Sequence, residues 1–282
     1  MWLAPEAIAT QTPHRSGKRG GQRRYSDLAI ETALTLRLIY HLPLRQAEGF
    51  LRALFAMMHV DLAAPDYTTL SRRGQHLKRR LRPVPTSDRI HLVIDSTGLS
   101  IIGEGEWAAA KHGARGRRGW KKLHLGVDGS GVIVAQVLTD AHVDDATTGV
   151  TLIDAVDREI SSVTADAAYD TVAVYETAGA RGATVVVPPI RTANVSLHGL
   201  RSAARDRTIT SVKQRGRRRW KQTSGYHRQA RVENAFFRYK SIIGGSLRSR
   251  STAGQESEVV LGCEILNRMT ALGRPASCRI GR

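Results

Sequence analysis

The sequence predicts an α/β protein in which a mixed β-sheet domain follows a smaller all-α domain. Three observations carry this expectation. Residues 91–102, HLVIDSTGLSII, are an apolar run of strand length with one acid inside it, the pattern of a strand covered on both faces. Downstream, alternation of period 2 gives way to helix and strand segments in turn. Upstream, residues 26–82 place apolar side chains at helical spacing, divided by Pro43 and Pro65. With 282 residues, 41% of them hydrophobic, the chain is long enough for one substantial core and a satellite domain.

Residues 1–25 read as a basic flexible arm, because Pro5, Pro13 and the stretch KRGGQRR offer no periodic apolar face. Ser26 and Asp27 then cap a helix on which Leu28, Leu34, Leu38 and Ile39 recur, and Pro43 stops it. A second helix is expected over 44–60. After Pro65 and Asp66 a third runs over 68–82, basic almost throughout, with Thr68, Thr69, Arg72, Arg73 and His76 near its start. Three short helices ending in a basic one outline a helix-turn-helix-like DNA-binding domain over 26–82. A plain helical subdomain with a charged exterior has the same pattern.

The catalytic domain is expected over 90–274, opening with the strand at 91–102. In 122–128, Leu123, Leu125 and Val127 alternate with Lys122, His124 and Gly126, and Asp128-Gly129-Ser130-Gly131 turns the chain into a third strand at 132–139. Asp144 and Asp145 cap a helix carrying Val150, Leu152, Ile153 and Val156. A fourth strand at 161–165 ends at Asp166. A helix over 170–178, capped by Asp170, then leads through Gly179 and Gly182 to a strand at 183–187. Three antiparallel strands, helix, strand, helix, strand is the order of an RNase H-like mixed sheet. Residues 188–225 start with two prolines, are strongly basic and lack apolar periodicity, so they read as an insertion or loop on the DNA side. Helices at 226–243 and 255–272 complete the domain.

Charge narrows the partners. The chain holds 43 Lys and Arg against 25 acids, formal net +18, with a pI near 10.8. Four windows without an acid, 15–24, 72–82, 111–122 and 213–221, carry 5, 6, 6 and 6 of those cations. Separated basic runs beside folded elements favour a long nucleic-acid track over a membrane surface. No apolar run approaches a membrane span and residues 1–13 lack signal-peptide features, so a soluble cytoplasmic protein, nucleoid-associated and with no membrane partner, is expected. Cys263 and Cys278 have no metal-ligand spacing and fit a reducing compartment. His91, His112 and His124 suit core or DNA-facing roles better than zinc ligation, and Trp120 and Trp220 sit in basic windows where they stack on a base or pack inward.

The chemistry centres on acids. Asp95 lies inside an apolar strand, where a carboxylate needs compensation: a divalent metal, or a role as cap of the Ser96-Thr97-Gly98 turn. In GYHRQARVENAFFRYK, helical geometry aligns Tyr226, Gln229, Glu233, Phe236 and Lys240 on one stripe. Glu233 there is aimed at the sheet, or else pairs with a neighbouring Arg.

These segments resemble the DDE transposases of bacterial insertion sequences, and in particular the insertion-sequence-5-like group. The likeness rests on VIDSTGL around Asp95, TADAAYD around Asp166, and a helix signature with Tyr226, Glu233 and Lys240 at the family's spacing; LPLRQAEGFL, PDYTTLSRR and KHGARGRRGWKKLHLGVD extend it over most of the chain. Where that signature has Arg, this chain has Gln229, and restoring Arg is expected to strengthen DNA-end binding. The resemblance implies catalytic, metal-ligating Asp95, Asp166 and Glu233. It implies two Mg²⁺ ions, with Mn²⁺ as a substitute, and cleavage at element ends followed by 3′-OH strand transfer. The partners implied are double-stranded DNA, as terminal inverted repeats and target, and further copies of the chain assembled on it. Tyr226, Arg228, Arg231, Lys240, Arg72, Arg73, Arg117, Arg118, Trp120, Lys121 and Lys122 are the expected DNA contacts. Rival readings are a nuclease of the same fold without strand transfer, and a catalytically weakened DNA-binding relic.

Overall fold

The computed structural model describes residues 10, 12, 13, 17, 19, 20, 22–77, 81–82, 88–103, 119–196 and 199–273. The chain divides into two compact units, residues 1–80 with 247–265, and residues 81–246 with 266–282.

The first unit holds helices α1 (Asp27–Ile39), α2 (Leu44–Met57) and α3 (Tyr67–Gly74), of which α1 and α3 start at side-chain caps and α2 directly after Pro43. Ser26 accepts from Ala29 N–H at the start of α1. Asp66 accepts from Thr69 N–H at the start of α3, and the hydroxyls of Thr68 and Thr69 with that N–H hold its carboxyl well below the usual carboxylate range. Ile30, Leu34, Leu38, Ala47, Leu51 and Leu70 are buried. Glu48 on α2 accepts the Tyr67 N–H at 2.8 Å, fixing where α3 starts. The third helix is shorter than expected, ending at Gly74; residues 78–80 lie outside the described residues.

The second unit is built on a mixed sheet. Its elements are β1 (Ile90–Ile101), β2 (Trp120–Val127), β3 (Ile133–Asp140), α4 (Asp145–Ala155), β4 (Ile160–Thr164), α5 (Val172–Ala180) and β5 (Thr184–Val186). Strand order is β3-β2-β1-β4-β5. The first three are antiparallel, with Asp95 opposite Leu125, while β1, β4 and β5 run parallel, with Val93 opposite Thr164. This mixed order is consistent with an RNase H-like domain. A short strand β6 (Ser246–Leu247) flanks β1 off this path, where Ser100 N–H donates to Gly245 O at 3.1 Å.

One sheet face, with Ile90, Leu92, Ile94, Val163 and Ala165, packs on Leu152 and Ile153 of α4 and Val174 and Ala178 of α5. Tyr169 joins that core, and it fits because residue 149 on α4 is glycine: a Cβ there would lie 2.7 Å from the Tyr169 ring. The fold therefore clamps the loop that begins at Asp166.

Within 188–225, expected as an insertion or loop, the part from residue 203 onward is largely helical. A single turn at Gly199–Arg201 precedes α6 (Ala203–Arg215) and α7 (Arg217–Thr223), separated by Gly216 at φ 79°. The segment shows no apolar stripe because ion pairs and hydrogen bonds hold it. Asp170, expected as a helix cap, is the anchor: its buried carboxylate takes Arg205 Nε at 2.8 Å and Nη2 at 2.9 Å, and the Ile190 N–H at 3.0 Å. Thr171 caps α5 instead. Asp206 accepts from Ser196 N–H and Ser202 Oγ. The helix α8 (Ala230–Ile242) and the helix α9 (Thr252–Ala271) complete the chain.

Two stability outcomes follow. Arg205→Met leaves the Asp170 carboxylate buried without its partner and should lower unfolding free energy by about 3–5 kcal/mol in urea titration; an unchanged midpoint would contradict a desolvated pair. Gly149→Ala should destabilise by roughly 1–3 kcal/mol through overpacking on Tyr169, measured the same way, and a neutral effect would mean that the ring has room to move.

Candidate active site

Asp95 stands in the middle of β1, and Ser96 N–H donates to its Oδ1 at 2.8 Å. The register that sets Val93 against Thr164 on parallel β4, carried two residues onward, brings Asp95 level with Asp166 on the same sheet face. Asp166 lies just past β4 and caps the one-turn helix Ala167–Tyr169, accepting from Ala168 N–H at 2.9 Å. Each carboxylate is thus oriented by a backbone donor of its own segment.

The third acid comes from α8, which packs on β1 and β2. Val232, Ala235, Phe236 and Tyr239 are its buried side, whereas Glu233, expected on one stripe with Phe236 and aimed at the sheet, is exposed in the first turn, because the α-helix starts only at Ala230 and its buried side is centred elsewhere. The single helix expected from Tyr226 is broken. Gly225 sits in the left-handed region at φ 83°, Tyr226–Gln229 form a tight 3₁₀ turn, and the α-helix starts at Ala230. Position 229, expected at the DNA surface, is instead 5% exposed, and its Nε2 donates to Ile94 O at 3.4 Å. The Gln in place of Arg therefore alters packing beneath β1, next to Asp95.

Burial pushes the Asp95 carboxyl up to about 6; the Ser96 N–H works against this, and the charges of Asp166, Glu233 and Asp145 add to it. Asp166 is raised by burial and by Asp145, opposed by the Ala168 N–H and by Lys221. The Tyr226 hydroxyl is raised by burial and then by Asp166, Asp95 and Glu233. The three predicted acids and the predicted tyrosine therefore share one electrostatic neighbourhood. Among the described residues, no group of three or more His, Cys, Asp or Glu side chains converges as a ready metal cage.

Two members of this neighbourhood were not singled out from the sequence. Asp145 was expected to cap α4, yet Asp144 does so through Thr147 N–H at 2.8 Å. That leaves the Asp145 carboxylate 3.2 Å from Lys122 Nζ and 3.7 Å from His124 Nδ1. His124 is fully buried and burial pushes its pKa down to about 4, so it is neutral at pH 7. The available signal was the Asp-Asp pair itself, since one helix start needs a single cap. Lys221 is the other: its ammonium lies 4.4 Å from the Tyr226 ring centroid, beside Trp220, which is buried against the same ring. A lone cation within a basic window carries no signal of such a position.

The expected DNA contacts divide. Arg231 and Lys240 are exposed, and Arg228 is partly buried near His91. Trp120 is 48% exposed and lies against Gly98, where a Cβ would stand 3.2 Å from its ring. Lys121 pairs with Asp140 at 2.6 Å, and Lys122 with Asp145. In the helical unit Arg72 is exposed, whereas Arg73 donates to Tyr25 O at 2.9 Å and pairs with Asp27. Arg117 and Arg118 lie outside the described residues, as does His112.

Two family models, each described as a transposase DDE domain, match this chain, one over residues 1–104 and the other over residues 86–268. No helix among the described residues is long and apolar enough to cross a membrane.

The raised pKa of Asp95 makes a stability prediction for protein kept free of metal with a chelator. A raised carboxyl contributes stability fully below its unfolded value near 3.8 and loses it as pH climbs through about 6. Asp95→Asn removes that loss. Relative to the parent the variant should gain roughly 1–2 kcal/mol between pH 4.5 and 7.5, after allowance for solvent screening; a difference that stays flat with pH would refute the buried, crowded carboxyl.

Proposed function

The chain belongs to the DDE transposases of insertion-sequence type, and from that premise we infer that it cuts DNA at the ends of an insertion-sequence-5-like element and joins the freed 3′ hydroxyl to target DNA. The observation that carries the reading is the convergence of charge on Asp95: a carboxyl on the central strand, raised by burial and by two acids that arrive from distant segments.

DDE transposases work with divalent metal ions, and the donor set here suits a hard cation. Three oxygen ligands whose mutual repulsion raises a pKa are stabilised together by dications. Asp95, Asp166 and Glu233 would hold two Mg²⁺ ions, with Mn²⁺ as a substitute, which when bound supply activation of the attacking oxygen and stabilisation of the leaving one. Glu233 is exposed, so its rotamer is not fixed by packing and can turn toward the two aspartates. Ser96 N–H and Ala168 N–H hold one oxygen of each aspartate, which leaves the other for coordination. Tyr226, Lys240 and Lys221 would hold phosphates of the cleaved strand through a hydroxyl donor and positive charge. Asp145 is balanced locally by Lys122, which keeps a fourth negative charge beside the site without a fourth ligand.

DNA is the partner that the family implies, and a formal charge of +18 suits it. Terminal inverted repeats and target duplex would be bound together by two or more copies of the chain, because each element end needs its own catalytic centre.

On a duplex carrying the element ends, Asp95→Asn, Asp166→Asn and Glu233→Gln should each lower Mg²⁺-dependent cleavage by roughly a thousandfold or more and leave binding to the ends intact. A gel assay that also scores joined products separates the readings. Joining supports transposition, cleavage without joining supports a nuclease, and unchanged cleavage in all three variants would remove these acids from the chemistry.

A further inference from the structure

The helical unit contains a cavity of about 340 Å³ that the catalytic reading does not use. Leu34 and Leu261 belong to its apolar wall, and its charged lining consists of Arg37, Arg248, Arg250 and Glu258. Three guanidiniums thus stand against one carboxylate. That carboxylate is already engaged: Glu258 accepts the N–H groups of Arg248 and Ser249 at 3.0 and 2.9 Å and the Ser249 hydroxyl at 2.8 Å.

Arg37 is the unusual member. It projects from α1 with 8% exposure, and its Nε has no hydrogen-bond partner among the described residues. Burial lowers its pKa, Glu258 opposes the effect and Arg248 reinforces it. A guanidinium this deeply buried, whose Nε finds no acceptor and whose neighbouring carboxylate Glu258 is already hydrogen-bonded to residues 248 and 249, has donor capacity left on the cavity wall.

The start of the 20-residue helix α9 borders the same space. Ser251 Oγ accepts from Gly254 N–H at 3.2 Å, and both residues line the cavity. A Cβ at position 254 would lie 3.0 Å from Ser249 Cβ and from Ser251 Oγ, so only glycine lets the loop 248–251 fold this closely over the helix start. The positive end of a long helix, a loop hydroxyl and a buried Arg with an unfilled Nε donor meet at one cavity, the combination that receives a tetrahedral oxyanion.

We propose that this cavity is a phosphate-binding site, with Arg37 as the buried ligand and Arg250, Ser251 and the amino end of α9 enclosing the anion. An excess of two positive charges matches a phosphate dianion, free or as a monoester, and also admits a DNA backbone phosphate. The proposal does not depend on the catalytic reading, since none of its residues takes part in cleavage.

The test uses the full-length protein and inorganic phosphate, titrated at constant ionic strength against chloride while thermal unfolding is followed. The parent should show a saturable rise in Tm. Arg37→Met should lose it, and Arg250→Ala, an exposed change that should not disturb folding, should weaken phosphate affinity at least several-fold. Salt-dependent binding of a duplex then identifies the source. If the slope falls by about one in both variants, the cavity takes a DNA phosphate; if duplex binding is unchanged while the phosphate response is lost, it takes free phosphate or a monoester. An equal Tm response in parent and variants overturns the proposal, as does no response in the parent with unaltered duplex binding in the variants. Should Arg37→Met fail to fold, Arg250→Ala decides on the same readouts.

Discussion

The central constraint on this protein is the repulsion among carboxylates gathered at one end of a parallel strand pair. Parallel pairing of β1 and β4 sets residues of equal register side by side, so an acid in the middle of β1 and an acid just past β4 must become neighbours once the sheet forms. Partial burial of the two aspartates then weakens the solvent screening between them, and the Asp95 carboxyl is pushed up to about 6. The surrounding structure works to hold this arrangement together. Tyr169, wedged under Gly149, pins the turn that carries Asp166, and backbone N–H groups take one oxygen of each aspartate. A core that simply maximised apolar burial would place none of these groups here.

The cations of the second unit are distributed around that constraint. Lys122 neutralises Asp145, while buried His124 stays neutral beside it. Lys221 bears on Asp166 and stacks over Tyr226. A neutral His124 is consistent with the energetics, because a second positive charge next to Lys122 would be desolvated there. The segment that supplies Lys221 is held by a pair of opposite charge, Asp170 with Arg205, together with Ile209 and Trp220, the buried side chains of its two helices.

Much of this was legible in the residues themselves. An acid inside an apolar strand is rare enough to point at Asp95, and period-2 alternation gave the antiparallel strands, whereas the helical stripe that aimed Glu233 at the sheet with Phe236 did not hold, since Glu233 is exposed. What could not be read has a common physical cause: it depended on contacts between distant segments. Helices α6 and α7 lack an apolar stripe because their fastening is an ion pair to residue 170, so no periodicity announced them. The stripe from Tyr226 to Lys240 assumed one α-helix, and the left-handed Gly225 with its 3₁₀ turn rotated Gln229 into the interior. Asp145 was assigned to capping because a cap can be read locally and a pairing with Lys122 cannot.

Net charge is the quantity most easily overread here. Of the cations that suggested a nucleic-acid track, Arg73, Lys121, Lys122 and Arg217 are committed to acids or carbonyls of the same chain, and Arg205 is buried against Asp170. Such groups release few counterions when DNA arrives, because their charge is already compensated or their donors are already filled. Each such ion pair already cancels within the net +18, so the attraction for a polyanion is carried by exposed side chains such as Arg231, Lys240 and Arg72. Arg37 is the inverse case, a cation hidden from the surface with its Nε donor unfilled inside. The two classes should be separable by salt: exposed cations act over a Debye length and are screened with it, whereas a buried guanidinium keeps its attraction for a bound anion at ionic strengths that silence the surface.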